Sequence, residues 1–246
     1  MKIYAHRGWK AGGHIENSAE AIRSALLKGH HVEIDLHLLG DETLICSHDP
    51  HIGPPYLPTR IPIKSLDLEG VRQLRCKETG SSIALLSNIA TWMVDYPDSH
   101  VFWEIKHGGE PMSQRLLEVI KSFSLEGRVT VIGYRRERNI SSALGTLAKE
   151  GIKVGLIGAP LGLFRDAKIY GASLLLTGYT EWWEEILFRS LVPLFLPYWV
   201  RNMHLKGLEV VAGVINRKSV ALYLKRCGFN GIVTDYPEQM RQLLAA

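Results

Sequence analysis

The chain reads as a (β/α)8 barrel, an α/β fold of the TIM type. Three observations predict it. Eight short apolar runs alternate with helical patterns from end to end. A glycine repeatedly stands between a helical pattern and the run that follows. The length, 246 residues, suits eight such units.

The runs place strands at Lys2–His6, His31–Leu38, Val101–Lys106, Val129–Gly133, Lys153–Ile157, Ser173–Thr177, Glu209–Ile215 and Gly231–Asp235. They are rich in Val, Ile and Leu and mostly lack strict alternation, as strands covered on both faces do. The first helix is expected over Asn17–Lys28, opened by the capping sequence Asn17-Ser18-Ala19-Glu20 and closed at Gly29. Further helices are expected over 111–123, 139–150, 163–170, 218–227 and 237–244. Gly127, Gly151, Gly171, Gly207 and Gly228 mark turns into strands. Nothing in the composition suggests a linker, so residues 1–246 are expected to form one domain. A doubly wound sheet is the competing architecture, but no Gly-x-Gly-x-x-Gly follows the first strand.

Two connections depart from the pattern. After the second strand, Leu38–Ile45 continues past barrel length and predicts a hairpin extension with a return strand over Thr43–His48. A turn at Asp41-Glu42 sets Asp35 opposite His48, whereas a turn at Gly40-Asp41 sets it opposite Cys46. After the sixth strand, residues 178–197 form a long apolar connection. Glu184, Glu185 and Arg189 interrupt Trp182, Trp183, Leu187 and Phe188 about once per helical turn. That spacing predicts a short amphipathic helix on the face where substrate enters.

Composition narrows the function classes. The chain is 46% hydrophobic and 22% charged, which excludes disorder. The richest apolar stretch, Trp182–Val200, is broken by Glu184, Glu185, Arg189, Pro193 and Pro197 and is no spanning helix. Net charge is +4, and the tightest basic cluster is Arg135, Arg136 and Arg138, too small a stripe for nucleic acid. Cys46, Cys76 and Cys227 show no metal or redox spacing. With no signal core after Met1, the expectation is a cytoplasmic protein with reduced thiols.

Chemistry concentrates at the strand ends, where a barrel of this kind carries its reactive groups. The first strand ends in His6-Arg7-Gly8, the second carries Glu33, Asp35 and His37 on one face, and the third ends in Glu104-Ile105-Lys106. Three carboxylates aimed into one mouth repel unless a cation or shared protons neutralise them. An all-oxygen set suits Mg²⁺ or Ca²⁺. His6 and His48 are then proton carriers, and Arg7 and Lys106 suit a phosphate. Together they describe phosphodiester hydrolysis.

Six motifs in order carry a resemblance. They are Ala5-His6-Arg7-Gly8, Glu16-Asn17-Ser18, Glu33-Ile34-Asp35, Ser47-His48-Asp49, Glu104-Ile105-Lys106 and Gly231-Ile232-Val233-Thr234-Asp235-Tyr236-Pro237-Glu238. The chain resembles the glycerophosphodiester phosphodiesterase family over essentially its whole length. The resemblance implies hydrolysis of glycerophosphodiesters to an alcohol and glycerol phosphate. Glu33, Asp35 and Glu104 would be metal ligands, His6 and His48 the general acid and base, and Arg7, Lys106 and Glu16 substrate-side polar groups. Asn17 would cap the first helix. The family's usual nucleophile is the neighbouring glycerol hydroxyl, giving a cyclic phosphate that water opens.

The chain departs from the family's pattern in its proline-rich run (Pro50, Pro54, Pro55, Pro58, Pro62), at Ala84-Leu85-Leu86-Ser87-Asn88, near Ala212-Gly213 and at His37. Two other readings stand beside it: lysophospholipase D-type hydrolysis, with lipid or membrane contact through 178–197, and a silent barrel that only binds anions.

Overall fold

A computed structural model describes residues 1–135, 137–178 and 192–245. The barrel begins with β1 (Lys2–His6), helix α1 (Ala19–Leu27) and β2 (His31–Leu38). The chain then leaves it for β3 (Leu44–Cys46), the short ladder of β4 (His51–Ile52) with β5 (Ile61–Pro62), and helices α2 (Leu68–Arg72) and α3 (Leu86–Asp95). Regular alternation resumes with β6 (Val101–Ile105), α4 (Glu110–Ser122), β7 (Val129–Tyr134), α5 (Arg138–Lys149), β8 (Val154–Ile157), α6 (Pro160–Tyr170) and β9 (Leu174–Thr177). Helix α7 (Val192–Leu205), β10 (Glu209–Ala212), α8 (Lys218–Arg226), β11 (Gly231–Thr234) and α9 (Pro237–Ala245) complete it.

Eight parallel strands close on themselves, because β1 pairs with β11 on one side and β2 on the other. Period two divides each strand between two cores. Tyr4, Phe102, Ile132, Ile157, Leu174, Leu176, Val211 and Val233 form one cluster, in the lumen. Their neighbours Ala5, Trp103, Val131, Leu156, Leu175, Val210 and Ile232 point outward into the larger cluster with the helices. Tyr4 and Phe102 stack in the lumen with centroids 3.9 Å apart. A third core, including Leu39, Ile45, Ile52, Ile63, Val71, Ile83 and Leu85, holds the excursion after β2 together. Among the described residues no helix is long and apolar enough to cross a membrane.

The hairpin register differs from both expectations. Leu36 pairs with Cys46, His37 with Ile45 and Leu38 with Leu44, which puts Asp35 opposite Ser47, whose N–H donates to the Asp35 carbonyl at 3.1 Å. The cause is a three-residue loop, Gly40-Asp41-Glu42, rather than a two-residue turn. Glu42 N–H donates to Leu39 O at 3.2 Å, and Leu39 N–H to Thr43 O at 2.9 Å. Glu42 takes φ 64°, as this loop class requires. Asp41 locks it by accepting from the N–H groups of Thr43 and Leu68. The strand stops at Cys46, and the bend after it carries His48 to the barrel mouth.

The second irregular connection falls largely outside the described residues. Trp182, Trp183, Glu184, Glu185, Leu187, Phe188 and Arg189 lie there, and so does the amphipathic helix expected of them. Helix α7 follows, with Phe195 exposed and Trp199 packed on the core.

Candidate active site

The site begins with a backbone irregularity. Arg7 adopts φ 56° and Gly8 φ 93°, and a Cβ on Gly8 would lie 2.7 Å from the Ala21 carbonyl carbon, so only glycine fits. This turn aims the Arg7 N–H at Glu33, with 2.9 Å to its carbonyl and 3.2 Å to Oε2.

Glu33 and Asp35 share the inward face of β2, and the register sets Asp35 beside Glu104 of β6. The three carboxylates present oxygens within 4.8 Å of one another, all buried. Burial, then repulsion from Asp35 and Glu104, holds the Glu33 carboxyl well above the usual range. Its Oε1 is buried without a hydrogen-bond partner. Burial also opposes charge on Asp35, but Lys106 and Arg7 overcome it and hold that carboxyl below the usual range. Lys106 Nζ lies 2.7 Å from Asp35 Oδ1 and also pairs with Glu104. Arg7 Nε lies 2.9 Å from Asp35 Oδ2, while its Nη1 meets Glu16 at 2.6 Å. Burial works against both cations, yet the surrounding carboxylates raise the pKa of each.

Each histidine has its own carboxylate. His6 Nδ1 donates to Asp235 Oδ1 at 2.9 Å, with its Nε2 4.0 Å from Glu33. Asp235 is held in turn by Lys10 at 2.5 Å and Asn216 at 2.6 Å. His48 Nδ1 donates to Asp49 at 2.9 Å.

His6, Arg7, Glu33, His48, Glu104 and Lys106 line one cavity of about 410 Å³. Asp35, 1% exposed, lies in the carboxylate cluster beside them. Glu16 lines a neighbouring depression that meets the cavity at His48. The opposite wall is largely apolar, with Ile157, Leu176, Val214 and Val233, while Tyr134 ends β7, the strand beside Glu104. Arg135 joins that wall with its guanidinium on Asp166 at 2.6 Å. Arg136 and the Arg138 side chain lie outside the described residues. His37 is buried, pushed down to about 4 by desolvation, and its Nε2 lies 3.4 Å from the His48 carbonyl.

The expected cap on α1 is corrected. Ser18 is the N-cap, its hydroxyl accepting from Ala21 N–H at 3.2 Å. Asn17 instead takes φ 58° and grips Asp35 twice: its side-chain Nδ2 donates to Oδ2 at 2.8 Å and its side-chain Oδ1 accepts the Asp35 N–H at 3.2 Å. The structure also adds Asp49, Asp235, Asn216 and Lys10 to the site. Asp49 and Asp235 stand within motifs that sequence reading can find. Nothing local points to Asn216 or Lys10.

Comparison with known proteins identifies the family and the fold. The family model of the glycerophosphoryl diester phosphodiesterase family matches residues 6–239. A lysophospholipase D of Rattus norvegicus is 24% identical, over 98% of this chain and 85% of that protein. A probable glycerophosphodiester phosphodiesterase of Mycobacterium tuberculosis is 26% identical, over 98% and 90%. The glycerophosphodiester phosphodiesterase structure from Parabacteroides distasonis superposes with TM-score 0.79 at 20% identity, covering 99% of this chain and 96% of that one. A phosphodiesterase from Oleispira antarctica, solved with the product sn-glycerol-3-phosphate, gives 0.77 at 19% identity, covering 100% and 97%. The chain therefore belongs to the glycerophosphoryl diester phosphodiesterase family and is a phosphoric diester hydrolase.

Proposed function

We propose that this enzyme hydrolyses glycerophosphodiesters to an alcohol and glycerol phosphate, using a divalent cation and His6 and His48 as its acid–base pair. The observation that carries the reading is the convergence of Glu33, Asp35 and Glu104 beside the two histidines, with Glu33 Oε1 buried and unpartnered. A buried polar atom without a partner is costly and calls for an occupant. An all-oxygen donor set fits Mg²⁺ or Ca²⁺. Arg7 and Lys106 do not balance the surrounding carboxylates, so a divalent ion would offset the excess negative charge that otherwise repels an anionic phosphodiester. Bound there, the ion would polarise the phosphoryl group.

The side chains supply the rest. With Nδ1 engaged by Asp235 and by Asp49, each histidine keeps Nε2 for proton exchange. One takes the proton of the attacking hydroxyl, and the other protonates the departing alkoxide. Arg7 and Lys106 bring positive charge to the phosphate, and Glu16 orients Arg7. The product held by the Oleispira antarctica relative supports glycerol phosphate as one product. The deciding experiment assays the purified protein on glycerophosphodiesters with and without chelator. Full turnover after exhaustive chelation, with no metal by elemental analysis, overturns the reading.

A second reading has its own support. The apolar wall opposite the carboxylates suits an acyl chain, and curated relatives are lysophospholipases D. A lysophospholipid is thus the competing substrate, with peripheral lipid contact through 178–197. Three buried, unpaired cysteines fit a reducing compartment, and we place the enzyme in the cytoplasm.

A further inference from the structure

The proline-rich excursion from Pro50 to Pro62 has no part in the chemistry above, yet it ends on a candidate catalytic group. Its two short strands pair His51 with Pro62 and Ile52 with Ile61. That ladder brings Arg60 back over the start of the excursion, where Nη2 donates to Asp49 Oδ2 at 2.6 Å. The other carboxylate oxygen, Oδ1, accepts from His48 Nδ1 at 2.9 Å, and the Ser47 hydroxyl donates to the Asp49 carbonyl at 2.9 Å. Gly53 leaves room for the arginine stem. A Cβ there would stand 2.9 Å from Arg60 Cγ and 3.5 Å from its Cα.

We infer that Arg60 is a positioning residue, clamping Asp49 so that the carboxylate holds the His48 imidazole with Nδ1 protonated and Nε2 left for the cavity. The inference rests on the reading of His48 as an acid–base group. His6 needs no such device, because its partner Asp235 is already held by Lys10 and Asn216. His48 and Asp49 are about half exposed, at 47% and 50%, and Arg60 is 63% exposed. Out in water a lone ion pair orders its partners weakly. The excursion replaces burial with a stiffened backbone: Pro54, Pro55, Pro58 and Pro62 each fix φ, so less freedom is lost on placing Arg60.

The test uses the full chain with ¹⁵N-labelled histidine. Imidazole nitrogen shifts report which ring nitrogen carries the proton, and they need no substrate. In the native protein His48 is expected as the Nδ1–H tautomer. Arg60→Gln removes the clamp, and Gly53→Ala pushes the arginine stem aside without changing any charge. Both are expected to shift the His48 tautomer balance toward Nε2–H and to lower kcat about two- to fivefold with KM little changed, while the melting temperature holds. Arg60→Lys should restore part of the loss. An unchanged tautomer and unchanged kcat in Arg60→Gln would show an ordinary surface ion pair and overturn the inference. If no phosphodiester is turned over by the native protein, the hydrolase reading fails, and the tautomer shift still decides the clamp.

Discussion

Asp235 accepts a hydrogen bond from His6 Nδ1 at 2.9 Å while Lys10 and Asn216 bind the same carboxylate. Those three bonds, against the cost of burial, hold the Asp235 carboxyl below its ordinary range, so it stays an acceptor. The imidazole is thereby fixed in one tautomer, with Nε2 on the Glu33 side. Asp235→Asn keeps the volume and offers Nδ1 an amide in place of a carboxylate. Turnover should fall on the order of 10²-fold with little change in melting temperature. Near-native kcat in this variant would show that the Asp235 carboxylate is not needed to hold His6 for catalysis.

Metal binding should be visible without any substrate. A ligand bound only to the folded state stabilises it by about 2.7 kcal/mol at a hundredfold excess over Kd. Added Mg²⁺ or Ca²⁺ should therefore raise the melting temperature of the chelated protein. Glu33→Gln, which removes one of the three carboxylates, should weaken that rise and increase Kd in calorimetry about tenfold or more. A metal-induced shift of equal size in native protein and variant would remove Glu33 from the ligand set.

Ser18 and Asn17 separate stability from chemistry although they are neighbours. Ser18→Ala loses the N-cap of α1 and should cost about 1 kcal/mol by urea unfolding, with kcat unchanged. Asn17→Ala frees Asp35 from both side-chain contacts and should lower kcat on the order of tenfold. Equal effects on activity would mean that Asn17 serves only the helix start.

These neighbours also show what a sequence can and cannot convey here. The barrel strands are legible because each is a run of Val, Ile and Leu between turn residues, and β1 and β2 occupy the expected spans. The carboxylate triad is legible because strand periodicity puts Glu33 and Asp35 on one face. The return strand after β2 is legible too, but the stretch from there to residue 85 is not: its strands are two residues long and its small core is assembled from scattered apolar side chains. Helix α3 does carry a signal, with Leu86, Ile89, Ala90 and Met93 buried at helical spacing. The hairpin register turned on a single loop residue, Glu42, and a slip of one exchanges the faces of the return strand. Asn17 against Asp35, and Arg60 against Asp49, are contacts between segments that no local pattern announces.

His30 predicts an acid-sensitive fold. It is 1% exposed, and Arg241 donates to its Nδ1 at 2.7 Å, which requires a neutral ring. Burial, then the charge of Arg241, depresses its pKa to about 4. An unfolded histidine titrates near 6.5. Between these values the unfolded chain takes up a proton that the folded chain refuses, so stability falls as pH drops through that window. By pH 5 the loss from this group is up to about 2 kcal/mol. Urea unfolding at pH 7 and pH 5 should show the difference, and His30→Gln should flatten it. An unchanged pH slope in the variant would assign the sensitivity elsewhere.

The apolar wall decides between the two substrate classes. Ile157 ends β8 and Leu176 stands one residue before the end of β9, on the side of the cavity away from the carboxylates. A small polar diester such as glycerophosphocholine gives them nothing to bury. A single acyl chain would, at about 0.8 kcal/mol per buried CH₂. Replacing both with Thr leaves a β-branched residue at each position, which a strand tolerates, and makes the wall polar. If the wall takes an acyl chain, kcat/KM for a lysophospholipid should drop on the order of tenfold while that for glycerophosphocholine holds. Both residues also belong to the lumen cluster with Tyr4 and Phe102, so melting temperature must be measured alongside. Equal loss on both substrates with a lowered melting temperature would make them core residues only and leave the glycerophosphodiester reading without its rival.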